Sequence, residues 1–166
     1  MLQLYESKDN FPNVFEDTRK SLVNLLGEKC AVEHIGSTAV AGLAGKGVID
    51  ILIGLDSPEQ IRIATATLRR NGYFDSINSK KRSDYIFMAS SEDETTIGNV
   101  HLHLTLDGSE LFESFIKVRD FLRARPTLAK EYSNLKYKIA KETNYDREEY
   151  KKQKSMFIEE VLKPKA

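Results

Sequence analysis

Hydrophobic positions recur along this chain with two periods, and the switches between them lay out the elements. Over residues 10–27, Val14, Phe15, Leu22, Val23, Leu25 and Leu26 form a helical stripe, and Gly27 is a natural stop. Residues 30–35 predict a short strand. Residues 48–55 predict the strongest one, with Ile49, Ile51, Ile53 and Leu55 on one face and Val48, Asp50, Leu52 and Gly54 on the other. Ser57-Pro58-Glu59 then opens a helix that runs to about Asn71-Gly72. Pro58 falls near the first turn, where its missing N–H costs nothing. Residues 73–77 and 83–89 predict two further strands. Residues 98–106 alternate strictly: Val100, Leu102, Leu104 and Leu106 share one side, and Asn99, His101, His103 and Thr105 the other. The last two strands flank a polar stretch and predict a long-looped hairpin.

From Ser109 onward the period is helical. Leu111, Phe112, Phe115, Val118, Phe121 and Leu122 fit one helix. Pro126 starts a second, with Leu128, Tyr132, Leu135 and Ile139. Asp146 with Glu149 three residues on has the form of a capping box for a third, which carries Tyr150, Phe157, Ile158, Val161 and Leu162. Strands with helices at both ends predict an α+β fold, an α/β sandwich over a mixed sheet, with a helical C-terminal third. No repeat and no Pro/Gly-rich linker divides the chain. The expected organisation is one domain over residues 1–166, its C-terminal helices beginning at about 109.

Composition narrows the classes. The chain has 166 residues, 40% hydrophobic and 30% charged, as an ordinary globular domain does. Its 25 Lys+Arg balance 25 Asp+Glu, which argues against a dedicated nucleic-acid binder and gives no support for attraction to a membrane surface. The neutrality hides a polarity, however. Residues 1–109 hold 11 basic and 15 acidic side chains, whereas residues 110–166 hold 14 basic and 10 acidic. Basic helices facing a carboxylate-bearing sheet would suit a phosphorylated ligand. A single cysteine, Cys30, excludes an internal disulfide and a multi-cysteine zinc site. With no secretory signal pattern and no apolar run of membrane-spanning length, the expectation is a cytoplasmic protein. Apolar neighbours make Cys30 an expected inert buried thiol.

Three features carry candidate chemistry. The first is the small-residue segment from Gly36-Ser37-Thr38 to Lys46-Gly47. A Gly-Ser-Thr turn after a strand exposes backbone N–H groups and hydroxyls, the local chemistry of a phosphate cradle, and Lys46 would add positive charge. It is not a Walker A loop, because Lys46 is followed by glycine and not by Ser or Thr. The second is Asp50, an ionisable group inside an apolar strand, which calls for a partner, a metal or an open cleft. The third is the pair His101 and His103, which point the same way and suit a metal clip or phosphate contacts. The remaining histidine, His34, lies beside the small-residue loop.

These residues resemble a known signature. The run from Glu33-His34-Ile35-Gly36-Ser37-Thr38 through Lys46 to Asp50-Ile51 closely resembles that of the GrpB family. His101-Leu102-His103-Leu104, Arg119 to Arg123 with Pro126, Tyr132 with Leu135-Lys136, and Tyr150 with Lys154 and Phe157-Ile158 match as well, so the likeness covers nearly the whole chain. The resemblance implies a nucleotidyltransferase-like fold. In that superfamily a Gly-Ser turn is followed, about a dozen residues on, by a strand bearing an Asp-x-Asp/Glu pair; here twelve residues separate Ser37 from Asp50. The carboxylates of the superfamily hold divalent metals, usually Mg²⁺, on nucleotide phosphates. Most family members have no determined activity, and some are fused to dephospho-CoA kinase.

The chain departs from the superfamily pattern at three points. Leu52 stands where the second carboxylate belongs. His101 and His103 stand where a later acid is expected, which favours Mn²⁺, Zn²⁺ or Ni²⁺ over Mg²⁺. Ala41 and Gly47 replace the family's usual prolines. The first expectation is therefore an enzyme that transfers a nucleotidyl group to a phosphorylated small molecule, or binds one. Asp50, His101 and His103 would hold a metal. Gly36, Ser37 and Thr38 would hold phosphate, with Lys46, Arg123 and Lys154 as clamps and Glu33 and His34 as further site residues. The alternative is a catalytically degenerate nucleotide- or phosphate-binding module. An interaction domain using the helical surface ranks third.

Overall fold

The computed structural model describes residues 4–5, 10–76, 82–92, 98–144 and 146–162. Five strands make one mixed sheet in the order β1-β2-β5-β4-β3: β1 Ala31–Ile35, β2 Ile49–Leu55, β5 Val100–Leu106, β4 Tyr85–Ala89 and β3 Phe74–Asp75. The two long central strands, β2 and β5, run parallel, and the other pairs are antiparallel. The hairpin of β4 and β5 forms as predicted. The expected strand over residues 73–77 shrinks to the two-residue edge β3, whose side chains are exposed, and residue 77 lies outside the described residues.

The sheet separates two layers. Helices α1 (Phe11–Leu26) and α2 (Pro58–Arg70) cover one face. Their Phe11, Phe15, Leu22, Ile61 and Leu68 close over Ile49, Ile51, Ile53, Leu102 and Leu104, all fully or nearly fully buried. The alternation read from the sequence is this core: its apolar set buries and the alternate set faces away. Ser57 accepts the N–H of Gln60 at the start of α2, and Gly27 ends α1 with its φ at 95°. Cys30 sits just ahead of β1, half-buried, and donates its thiol to the Gly27 carbonyl at 3.0 Å.

Helix α3 (Glu110–Arg123) packs on the other face through Phe112, against Ile35 and Leu52. Its first turn is capped by Ser109, which accepts the N–H of Phe112. Helices α4 (Pro126–Glu142) and α5 (Arg147–Leu162) follow, and Asp146 accepts the Glu149 N–H at 2.8 Å as the capping pattern anticipated. Tyr132 of α4 stacks on Phe157 of α5, ring centroids 4.8 Å apart. Together with Leu122 and Ala129 they bury Val40 and Leu43 of the small-residue loop. The C-terminal helices thus grip the loop that joins β1 to β2. Among the described residues no helix is long and apolar enough to cross a membrane.

Candidate functional site

The parallel pairing of β2 with β5 puts Asp50 beside His101 and Leu52 beside His103. Partners in register share a face, so all four project toward the α3 side, away from the α1–α2 core. Both imidazoles reach one carboxylate oxygen: His101 Nδ1 and His103 Nε2 each lie 3.4 Å from Asp50 Oδ1. Asp50 keeps a side-chain exposure of 26%. Burial opposes its ionisation, but the hydrogen bonds and charge of the two histidines outweigh burial and hold the carboxyl well below the usual range.

A second contact holds the His103 ring. Its Nδ1 lies 2.8 Å from the Tyr85 hydroxyl, across the β4–β5 pair. Burial first, and then the charge of Asp50, push that phenol up to about 12. Tyr85 therefore stays protonated and shares a hydrogen bond with Nδ1, while Nε2 faces the Asp50 carboxylate. Phe87 stacks on the His103 ring at 4.8 Å and meets His101 edge-on at 5.0 Å, and Phe115 tilts over His103 at 5.3 Å. Asp50, His101 and His103 come together, but as carboxylate and donors. Among the described residues no group of three or more His, Cys, Asp or Glu side chains is disposed to hold a metal ion. Leu52 deepens the mismatch with a two-metal site: it is fully buried between Ile35 and Phe112, so apolar packing fills the place of a second carboxylate.

The small-residue loop closes over this cluster. Gly36 is exposed, with φ at 72°, and its α-carbon rests on the Asp50 carboxylate with no room for a Cβ. The half-buried Ser37 fills the space that a Cβ on Gly45 would occupy. Thr38 turns inward: its hydroxyl contacts His34 Nε2 at 3.0 Å and donates to the Val48 carbonyl at 3.3 Å, so the structure employs it in holding the loop. Lys46 is half-buried, next to the Tyr5–Gly45 bridge.

The other expected site residues divide. His34 projects to the opposite face from Asp50, 6% exposed and stacked on Phe15 at 4.6 Å. Burial and the nearby Arg123 lower its pKa to about 4. It is a neutral packing residue there. Glu33 shares the Asp50 face but is ion-paired to Arg119 at 2.6 Å. Arg123, expected as a phosphate clamp, donates Nε to the Ala39 carbonyl at 2.7 Å and is otherwise exposed. Arg119 also reaches the His34 carbonyl, at 3.1 Å. Helix α3 thus straps the loop by its backbone.

Helix α4 does the same with residues that were not among the sequence candidates. Ser133 Oγ accepts the Ala44 N–H at 2.9 Å, and Lys136 Nζ donates to the Ala44 carbonyl at 2.7 Å. Lys136 is 5% exposed, and burial, with the charge of Lys154, lowers its pKa to about 7. Lys154, half-buried on α5, is lowered for the same first reason, and the field of Asp50 reaches both ammonium groups. A sequence signal for Lys136 exists: it falls on the apolar stripe of its helix, at Tyr132, Lys136 and Ile139. A lysine on a core stripe is a buried charge, and a buried charge calls for a reason.

Comparison with known proteins places this architecture. A family model described as GrpB protein matches residues 1–164. The chain is 27% identical over 161 residues to the glutamate-rich protein GrpB of Alkalihalophilus pseudofirmus, spanning 96% of this chain and 92% of that one. It is 29% identical over 164 residues to a UPF0157 protein of Vibrio cholerae, spanning 97% and 82%. The crystal structure of the conserved protein GrpB from Enterococcus faecalis superposes with a TM-score of 0.82 at 27% identity, over 96% of this chain and 94% of that one. A structure of the Cid1 poly(U) polymerase with MgGTP bound superposes at 0.53 and 11% identity, over 82% of this chain and 44% of that one, a likeness of fold. The sheet and helices are thus a nucleotidyltransferase-like fold, and the chain belongs to the GrpB family.

Proposed function

We propose that this chain binds a nucleotide or a phosphorylated small molecule on a nucleotidyltransferase-like fold, without the two-metal chemistry of nucleotidyl transfer. The observation that carries the reading is Leu52. It is fully buried against Ile35 and Phe112, where a second metal-holding carboxylate would need open, polar space. Asp50, the remaining carboxylate, spends Oδ1 on two imidazoles. The binding half of the reading draws support from the loop. Gly36 presents bare, exposed backbone over Asp50, and Lys136, Lys154 and Arg123 bring positive charge to it from three helices. That the fold accommodates nucleotides is supported by Cid1, whose structures hold MgGTP and Mg 3′-dATP.

The test pairs binding with turnover. Purified protein is titrated calorimetrically with ATP, CTP, GTP and UTP, and the mixtures are then analysed for released pyrophosphate. Binding of at least one nucleotide with no pyrophosphate is the expected result. Pyrophosphate release that EDTA abolishes would show metal-dependent transfer instead. Absence of heat with every nucleotide would leave the binding reading without support.

A further inference from the structure

Lys136 and Lys154, on the two C-terminal helices, carry the reading one step further. We propose that Lys136 and Lys154 neutralise the ligand's phosphate directly, in the role a divalent ion has in metal-dependent relatives of the fold. The inference rests on the phosphate-binding reading above.

Lys136 is where the argument starts. Its ammonium has three N–H donors. One goes to the Ala44 carbonyl at 2.7 Å, and the Tyr132 ring lies 4.5 Å away beneath the charge. Among the described residues it has no other acceptor and no salt-bridge partner, although it is 5% exposed. A buried ammonium with unmet donors is costly, and such groups in native proteins generally await an acceptor. Lys154 repeats the pattern from α5. Its Nζ lies 5.7 Å from the Tyr150 ring centre, again with no hydrogen-bond acceptor among the described residues. The two lysines are close enough for the charge of Lys154 to act on Lys136.

Charge balance gives the ligand's sign. The carboxylate whose field reaches both lysines is Asp50, and its Oδ1 is already contacted by His101 and His103. Two ammonium groups thus lie in the field of one carboxylate, which leaves an excess of positive charge. The missing partner is an anion with several acceptor oxygens, and a phosphate group answers that description. The same cluster offers no ready cation site: among the described residues no group of three or more His, Cys, Asp or Glu side chains is disposed to hold a metal ion. The positions are also coupled mechanically, since Lys136 and Ser133 hold Ala44 in the loop that carries Gly36 and Ser37.

The experiment is a calorimetric titration of the full chain with ATP, once in EDTA and once in excess Mg²⁺. Free ATP should bind in EDTA at least as tightly as in Mg²⁺. Lys154→Gln and Lys136→Gln should each weaken binding at least tenfold. Lys151→Gln, on the same helix as Lys154 but bonded to Glu148, should change it less than twofold. Lys154→Gln keeps the test open should Lys136→Gln fail to fold, because Lys154 is half-buried and bonds no backbone group in the described residues. Binding that disappears in EDTA would overturn the lysine role and leave the phosphate-binding reading intact. Binding in EDTA that neither lysine variant weakens would do the same. No binding under either condition would overturn both.

Discussion

The α-carbon of Gly36 rests on the carboxylate of Asp50, so closely that a Cβ at Gly36 would overlap Oδ2. The contact joins the loop to the only acid on the site face of β2, and it explains a glycine at this point twice over, since φ is also 72°. Gly36→Ala must therefore either push the carboxylate off His101 and His103 or lift the loop. We expect a loss of more than about 3 kcal/mol in stability, because the clash adds to the backbone cost, together with weakened ligand binding. Gly27→Ala is the control: its backbone lies in the same glycine-only region, φ 95° and ψ 159°, but a Cβ there meets nothing within 4 Å, so only the backbone cost of about 1–3 kcal/mol applies. Equal losses in the two variants, measured by urea denaturation, would remove the Asp50 contact from the explanation.

Leu52 offers the sharpest test of the missing carboxylate. Leu52→Asp would recreate the Asp-x-Asp spacing of metal-dependent nucleotidyltransferases. In this chain it would place a charge among Ile35 and Phe112, beside a carboxylate already present. The expected outcome is destabilisation by about 3–5 kcal/mol and no gain of nucleotidyl transfer. Metal-dependent turnover by a folded Leu52→Asp protein, detected as pyrophosphate release, would mean that the pocket tolerates two carboxylates.

Much of this arrangement was legible in the sequence, and the limits have physical causes. Strict alternation over residues 98–106 disclosed that His101 and His103 share a face, because strand side chains repeat every two residues. That Asp50 lies on the same face required the β2–β5 pairing, a long-range fact that periodicity does not contain. His34 shows the cost of lacking it. Adjacent to the loop in sequence, it projects through the sheet onto Phe15, since it pairs with Ile51 while Ile35 pairs with Asp50. The Gly-Ser-Thr turn points to Thr38, and the family resemblance to Arg123, as phosphate contacts; in the fold both also bond backbone, the Val48 and Ala39 carbonyls, contacts that local sequence does not contain. Lys136 was visible as a charge on an apolar stripe, but its meaning depended on α4 packing against the loop.

His34 should make the protein acid-sensitive. Its folded pKa is about 4 against an ordinary 6.5, so the unfolded chain binds a proton that the native state refuses. Stability from this group is complete above pH 6.5 and falls as pH drops toward 4, by on the order of 3 kcal/mol in all. His34→Gln should flatten that interval in a plot of unfolding free energy against pH. An unchanged slope in the variant would assign the acid limb to other groups.

Ser133 tests whether α4 holds the loop in shape. Its hydroxyl accepts the buried Ala44 N–H, and it contacts the Gly42 and Ala129 carbonyls at 3.3 and 3.0 Å. Ser133→Ala strands one buried amide, which costs about 1–3 kcal/mol. If the loop answers to α4, ligand affinity should fall as well, although Ser133 faces backbone and not the Gly36–Asp50 contact. Hydrogen exchange at Ala44 should accelerate in step. A variant that loses stability but keeps full affinity would make Ser133 a packing residue only.

Lys136 should produce a pH trend of the same sign as His34 but in a separate, alkaline window, and with it a separable signature. Burial lowers its folded pKa to about 7, below the unfolded value near 10.4, so between these pH values the unfolded chain binds more protons. Stability contributed through this group therefore rises as pH rises from about 7 toward 10, because the native state is relieved of a buried charge that the unfolded chain carries at no penalty. Ligand affinity moves the other way. An anion needs the protonated ammonium, so binding should weaken above pH 7, and a bound phosphate should raise the lysine's pKa and take up protons from the buffer. Calorimetry at pH 7.5 in two buffers of different ionisation enthalpy measures that uptake directly. Lys136→Met should abolish both the alkaline gain in stability and the proton uptake. Retention of the proton uptake by Lys136→Met would assign it to another group at the site.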